Sequence, residues 1–389
     1  MNKLSRSRIA TASLFFIQGF SVVTWANRLP DIQRKFGFSD GELGLMLLLP
    51  PAAQLLMMAV SGNLVRRFGS TSIARIAALL LPMLLPVLAE VSTLPMLASA
   101  MFIFGMATNL SNIAANTQGL QVERLYEKSI MASFHGWWSI GGACAILIGM
   151  VLVRMGTSLR MNFLAAWIIC LAIYGMNVWH LLSDEVSSPQ HSKSVEEKTS
   201  LWSVPLMLFG LICFCSLGCE GSINNWITIY FQNVVHAPGE WTRLGYFVYM
   251  LAITCCRFSA DQFARKCGAF PTLRVAAFLL FAGLLLVVSC PRLISASIGC
   301  LLIGLGTSAV LPLCYSILGK RYRETLPIAL TIVNGISFTG FLLMPAVVGC
   351  ISDIMGLRTA FVSITMLSVL LFILILLVER QEKGKSASK

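Results

Sequence analysis

The chain has 389 residues, of which 57% are hydrophobic and only 12% charged, and its mean hydropathy is +0.79. A soluble domain of that composition would aggregate through its apolar surface, so the composition excludes a soluble globular protein and indicates an integral membrane protein. The formal net charge of +12 does not indicate nucleic-acid binding, because the basic residues are spread through short loops rather than gathered into one patch.

Twelve segments are long and apolar enough to cross a bilayer, whose hydrocarbon core of roughly 30 Å needs about 20 helical residues. They lie near residues 8–27, 42–64, 71–90, 94–118, 131–153, 161–182, 204–231, 241–263, 270–289, 293–318, 327–350 and 357–378. The first resembles a secretory signal, but it is too long for one and no small-residue cleavage site follows it. The predicted fold class is therefore an all-α membrane protein with twelve transmembrane helices.

The distribution of Lys and Arg predicts the orientation in the membrane. If both termini are cytoplasmic, 20 of the 29 basic residues lie on the cytoplasmic side and eight outside, while Arg257 lies within the eighth segment. Loops rich in Lys and Arg stay in the cytoplasm, so we expect both termini to be cytoplasmic.

An internal repeat relates the two halves of the chain. A shift of 199 residues superposes Gly62-x-x-x-Arg66-Arg67-x-Gly69 on Asp261-x-x-x-Arg265-Lys266-x-Gly268. Shifts of 199 to 201 residues also match Gly105 with Gly304, His135-Gly136 with Asn334-Gly335, Gly141 with Gly340, and Trp25 with Trp226. A nearly constant offset predicts two related six-helix bundles, residues 1–182 and 201–389, joined by a polar cytoplasmic linker, residues 183–200.

Glu220 is the only carboxylate deep within any of the apolar segments. An ionised carboxylate in hydrocarbon costs several kcal/mol, so Glu220 should face protein or a water-filled cavity. We expect it to change its protonation state during function. A structural acid, hydrogen-bonded to Asn or Ser across a helix interface, is the alternative.

Polar stripes run along the first, fourth, seventh and tenth segments at helical spacing. They comprise Thr11, Gln18, Ser21 and Trp25; Asn109, Asn112, Asn116 and Glu123; Cys213, Ser216, Glu220 and Asn224; and Gly304, Thr307, Ser308 and Tyr315. Four such stripes at related places in the repeat predict a wet central cavity, although amides also bridge helices in lipid.

The stretch S-G-N-L-V-R-R-F-G-S at 61–70, echoed at 261–268, resembles the loop between helices 2 and 3 of the major facilitator superfamily. W-A-N-R-L-P at 25–30, H-G-W-W-S-I-G at 135–141 and E-G-S-I-N-N-W at 220–226 are similar to a branch of bacterial inner-membrane permeases allied to fucose-permease-like sugar porters. The superfamily loop usually carries Asp where this chain has Arg66, so the charge-relay role of that Asp is not transferred.

The resemblance implies a multi-pass, monomeric inner-membrane transporter with two bundles that alternate access to a central site. Within such a transporter we predict that Glu220 and His135 couple transport to protons. Alternatively, His135 caps a helix. The predicted solute-binding residues are Gln18, Trp25, Asn109, Asn112, Asn116, Asn224, Trp226, Thr307 and Tyr315. The predicted gating loops comprise Gly62, Arg66, Arg67, Gly69, Asp261, Arg265 and Gly268. Trp25 and Trp226 are alternatively interfacial anchors.

The sequence contains no Walker A loop, no G-x-S-x-G motif and no zinc spacing among its 12 cysteines. We therefore expect no enzymatic activity, no metal and no cofactor. The predicted function is proton-coupled uptake of a small polar solute, a sugar or sugar derivative, with the solute, protons and the bilayer as partners. An exporter of amphipathic drugs or metabolites, and a non-transporting membrane sensor, are the alternatives.

Overall fold

The computed structural model describes residues 3–126, 130–183, 204–322 and 325–387, without the side chains of residues 132, 257–265, 320, 326–327 and 382–387. These parts form fourteen α-helices and no strand. The helices are α1 (Lys3–Asn27), α2 (Leu29–Phe36), α3 (Asp40–Met46), α4 (Leu49–Phe68), α5 (Ser70–Glu90), α6 (Leu94–Tyr126), α7 (Met131–Arg154), α8 (Leu159–Asn177), α9 (Val204–Asn233), α10 (Leu244–Cys267), α11 (Ala269–Ser289), α12 (Leu293–Arg321), α13 (Leu326–Met355) and α14 (Leu357–Ala387).

The helices correspond to the twelve predicted segments, and the all-α membrane fold is confirmed. Helices α3 and α4 together form the second segment, α2 is an additional short helix, and each other helix forms one segment. Over the described residues, eleven spans are long and apolar enough to cross a membrane. Helix α10 is not among them, because only residues 244–256 of it precede the side chains that lie outside the described part of the chain.

Contacts divide the chain into two compact units, Met1–Phe38 with Met46–Ser192, and Ser39–Leu45 with Lys193–Lys389. In the first unit α1 packs on α7, α4 on α6, and α5 on both α6 and α8. The second unit repeats these pairs as α9 on α13, α10 on α12, and α11 on both α12 and α14. The same packing order in each unit is what the sequence repeat predicts. The predicted linker lies outside the described residues except for Ser183.

Glycine contacts repeat with the same period. A Cβ on Gly105 would lie 2.1 Å from the carbonyl oxygen of Pro50, and one on Gly304 would lie 2.6 Å from that of Tyr249. Both members of the second pair stand 199 residues after their counterparts. Each close approach of two helices therefore requires glycine at an equivalent position.

The short helix α3 begins with a capping box. The Ser39 hydroxyl accepts a hydrogen bond from the Glu42 amide at 3.1 Å, and the Glu42 carboxylate accepts one from the Ser39 amide at 2.9 Å. This reciprocal pair satisfies two amides at the start of the helix and fixes where it begins. The sequence analysis had placed the start of the second segment near residue 42 because it followed the apolar run alone.

Candidate functional site

The polar stripe of α6 combines a buried acceptor with an exposed pair of amides. Asn109 is 8% exposed, and its Oδ1 has no hydrogen-bond partner among the described residues. Asn112 is exposed, and the Asn116 amide donates to both its backbone oxygen, at 2.8 Å, and its side-chain oxygen. Helix α6 therefore presents several amide donors and acceptors along one face.

On α1, the residues predicted to bind solute are packed inside the first unit. Gln18 is 5% exposed and donates to the Thr108 carbonyl at 3.3 Å. Trp25 is 4% exposed, with its ring centroid 6.1 Å from that of Phe104 and 6.5 Å from that of Phe163. Stacking of Trp25 on a solute stays a prediction, and it requires the ring to leave this aromatic packing.

His135 on α7 is exposed, and its ring lies edge-on to Phe15 with the centroids 5.2 Å apart. The amides that begin this helix are bonded elsewhere, because the Glu123 carboxylate accepts from Ile130 at 2.6 Å and from Met131 at 2.8 Å. Glu123, which the stripe pattern placed on the polar face of α6, thus caps α7. His135 is left with an exposed ring, while its proton-coupling role stays a prediction.

In the second unit, Glu220 and Asn224 lie one turn apart on α9. Glu220 is half-buried, and on α10 the ring centroid of Tyr246 is 6.4 Å from that of Tyr249. The Oδ1 atom of Asn224 is buried and has no hydrogen-bond partner among the described residues. The sequence analysis missed the two tyrosines because α10 carries no polar stripe.

Trp226 and Thr307, also predicted to bind solute, make intramolecular hydrogen bonds. Trp226 is fully buried, and its indole Nε1 donates to the Pro345 carbonyl on α13 at 2.8 Å. Thr307 is 3% exposed and donates to the Ile303 carbonyl on its own helix at 2.7 Å. A role for either in solute binding stays a prediction.

Tyr315 on α12 donates a hydrogen bond from its hydroxyl to the Oδ1 of Asn334 on α13, which is exposed. The sequence analysis gave Asn334 no role, although the repeat matches it with His135. The repeat match with His135 is the signal that could have identified Asn334, because the two residues occupy equivalent positions on α13 and α7. The second unit therefore presents a phenol and an amide next to each other.

The two predicted gating loops share a glycine in the left-handed region. Gly69 has φ of +81° and Gly268 has φ of +91°, and each immediately precedes the next helix. A side chain would be strained there, which explains glycine at both places. Arg66 donates to Asn63 at 3.2 Å, and Arg67 lies over the Phe68 ring at 5.3 Å.

The structure describes the surroundings of Gly62, but not those of the Asp261 and Arg265 side chains. Gly62 has open space around its Cβ position. The side chains of Asp261 and Arg265 lie outside the described part of the chain. Within the residues that the structure describes, no three His, Cys, Asp or Glu side chains come together as metal ligands.

Known proteins resemble this chain over most of its length. A family model described as Major Facilitator Superfamily matches residues 9–299. An uncharacterised transporter of that type from Yersinia pestis is 26% identical over 360 residues, which cover 92% of each chain. The membrane protein MosC of Rhizobium meliloti is 27% identical over 376 residues, covering 97% of this chain and 91% of that protein.

Solved structures resemble the chain in fold. A point variant of the nucleoside transporter NupG superposes with a TM-score of 0.78 at 13% identity, covering 97% of this chain and all of that one. A bacterial homologue of the human lysosomal transporter Spinster, in an inward-facing and occupied conformation, gives 0.72 at 12% identity and covers 98% of each chain.

Proposed function

Because this chain belongs to the Major Facilitator Superfamily and is thus a secondary transporter, we propose that it couples proton entry to uptake of a small hydroxyl-rich solute. The cargo class is a sugar or sugar derivative, and the membrane is the bacterial inner membrane. Glu220, which is half-buried, binds the proton, and the exposed His135 is the second coupling residue. We assign solute binding in the first unit to the amides of α6, and in the second unit to Asn224, Tyr315 and Asn334.

The observation that carries the cargo class is the pair of unsatisfied acceptors, Asn109 Oδ1 and Asn224 Oδ1. Burying a polar atom without a partner costs roughly 1–3 kcal/mol, so each is an acceptor that a ligand hydroxyl would satisfy. The exposed Asn112–Asn116 and Tyr315–Asn334 pairs add donors and acceptors. Sugars offer hydroxyl groups at close spacing, and this set suits them better than an apolar cargo.

The solute class is tested by thermal unfolding of the purified protein with sugars, polyols, sugar acids, nucleosides and lipophilic cations. Nucleosides belong in the panel because they carry a sugar and because the structure resembles that of NupG. A ligand at 100 times its Kd stabilises by about 2.7 kcal/mol. A shift with one hydroxyl-rich class that Asn112→Ala or Asn116→Ala removes would support the proposal. A shift with lipophilic cations alone would instead favour the exporter.

The coupling role of Glu220 is tested by uptake into proteoliposomes under an imposed pH gradient. Glu220→Gln cannot release a proton, so we expect at least about tenfold less accumulation against a gradient, with solute exchange at equal concentrations retained. The matched control is Glu90→Gln, since Glu90 is an exposed residue paired with Arg160 at 2.8 Å. Wild-type accumulation by Glu220→Gln would rule out proton coupling through this residue.

A further inference from the structure

A basic cavity of about 910 Å³ lies in the first unit, away from the polar stripes of α1 and α6. We call it the basic cavity. Its walls come from the start of α1, the first turns of α5 and the turn that follows α8. Its lining residues include Lys3, Arg6, Thr71, Arg75, Leu125 and Trp179. None of these lining residues is acidic, whereas three of them are Lys or Arg.

Arg75 is the best placed of these cations. Its guanidinium lies over the Trp179 ring at 5.4 Å, and its Nε is buried with no hydrogen-bond partner among the described residues. Stacking on an aromatic face holds the planar guanidinium in place and leaves its N–H groups available. Guanidinium groups held in this way bind phosphate oxygens well.

The cavity wall is a built structure rather than a loose loop. Gln118 is fully buried and donates to the Leu182 carbonyl at 3.1 Å and to Ser70 at 2.8 Å, while its own carbonyl accepts from the Leu182 amide at 3.1 Å. Thr71 also donates to the Leu182 carbonyl. These bonds fix the turn carrying Trp179 against the first turn of α5, whose amides and helix dipole favour an anion.

The neighbouring apolar side chains indicate the source of that anion. Trp179 is 72% exposed and Leu125 is 45% exposed, beside the cationic groups. We propose that the basic cavity binds the phosphate of an anionic phospholipid, with Trp179 and Leu125 contacting its acyl chains. Basic pockets between membrane helices are suited to such head groups. A soluble phosphate would use the same cations but would leave these apolar side chains uncovered.

Native mass spectrometry of the purified full chain tests this proposal, with phosphatidylglycerol and phosphatidylcholine added in separate titrations. We expect phosphatidylglycerol to be retained preferentially, and Arg75→Gln or Arg6→Gln to lower its retention by about fivefold each. Arg75→Lys should lower the retention less than Arg75→Gln does, because the charge remains although the stacked guanidinium is lost. The matched control is Arg124→Gln, an exposed basic residue of α6 that does not line the cavity.

Equal retention of the two lipids, or unchanged retention in both Gln variants, would overturn the proposal. A separate arm adds inorganic phosphate or glycerol 3-phosphate and follows thermal unfolding. These soluble anions could stabilise the wild-type protein but not Arg75→Gln, while phosphatidylglycerol is not retained. That result would show that the cavity binds free phosphate rather than a lipid, and it would overturn the proposal. Because Arg6 is exposed, its variant addresses binding even if Arg75→Gln fails to fold.

Discussion

Asn109 and Gln118 are both buried amides on α6, yet their surroundings differ. The Oδ1 of Asn109 has no partner among the described residues, whereas the Gln118 amide nitrogen, with two N–H donors, lies within hydrogen-bonding distance of Ser70, Thr71, Gln121 and the Leu182 carbonyl. A buried amide without a partner is costly for the unliganded protein, whereas a fully bonded one stabilises it. We therefore propose that the first binds a ligand, whereas the second stabilises the fold.

This contrast predicts opposite effects of two substitutions. Asn109→Leu should change unfolding stability by less than about 1 kcal/mol but weaken solute binding by roughly fivefold or more, because a ligand hydrogen bond is lost. Gln118→Ala should lower stability by about 2 kcal/mol or more while leaving affinity near wild type in the folded fraction. Thermal unfolding with and without the stabilising solute measures both. Equal effects of both substitutions on affinity would contradict the assignment.

At the scale of helices, tight crossings depend on glycines whose spacing repeats. Gly105→Ala would place a methyl group 2.1 Å from the Pro50 carbonyl oxygen, so α6 and α4 would have to separate. We expect a loss of at least about 2 kcal/mol in stability. Gly335→Ala is the matched control, because nothing lies within 4 Å of its Cβ position, and it should be neutral or slightly stabilising. Similar melting temperatures for both variants would contradict this account.

Two hydrogen bonds with α13 hold the segment Ser39–Leu45 within the second unit. Ser39 donates to the Asp353 carboxylate at 2.9 Å, and Ser352 donates to the Asp40 carboxylate. Losing both bonds removes contacts of this one segment alone, so the effect should be local.

We therefore predict that Ser352→Ala combined with Asp353→Ala speeds amide hydrogen exchange in residues 39–45 by about tenfold, with little change in global unfolding. Exchange followed by mass spectrometry, peptide by peptide, measures this directly. Ser363→Ala in α14 is the control, since that hydroxyl bonds only to the carbonyl of Ala360. Unchanged exchange in residues 39–45 would show that other contacts hold the segment.

Apolar run length and repeat offset predicted the helices well but not their ends. Helix α6 has 33 residues and α14 has 31, longer than the bilayer requires, so the runs underestimated both. The break between α3 and α4 was missed, although Pro50 stands at the start of α4 where a proline is well tolerated.

Periodicity predicted which face of each helix is polar, but it gives no depth or partner for a side chain. Spacing placed Trp25 on the polar face of α1, and the repeat matched Trp226 with it. The Trp25 ring nevertheless packs on Phe104 and Phe163, and the Trp226 indole donates to the Pro345 carbonyl. Asn334 joins Tyr315 only because α12 and α13 are adjacent. Such pairings depend on tertiary packing, which a single sequence does not specify.

At the scale of the whole molecule, the two units have the same internal packing order, and their helices begin alike. The glycines at 69 and 268 have φ of +81° and +91°, and those at 156 and 356 have φ of +71° and +82°. Left-handed glycines at offsets of 199 and 200 residues mark equivalent turns. The positive φ angles of these glycines therefore recur with the period of the sequence repeat.

The distribution of Lys and Arg along the whole chain predicts its orientation in the membrane. With 20 of 29 basic residues assigned to the cytoplasm, a green fluorescent protein fused after Lys389 should fluoresce, and alkaline phosphatase fused there should be inactive. Alkaline phosphatase fused after Gly156, in a loop assigned to the outside, should be active because the fused enzyme is then translocated to the outer side of the membrane. Replacing Arg66, Arg67 and Arg75 by Gln removes three of the positive charges assigned to the cytoplasmic side. We expect this variant to be expressed at a lower level, with its orientation unchanged. Active phosphatase at the C-terminus would overturn the assigned orientation.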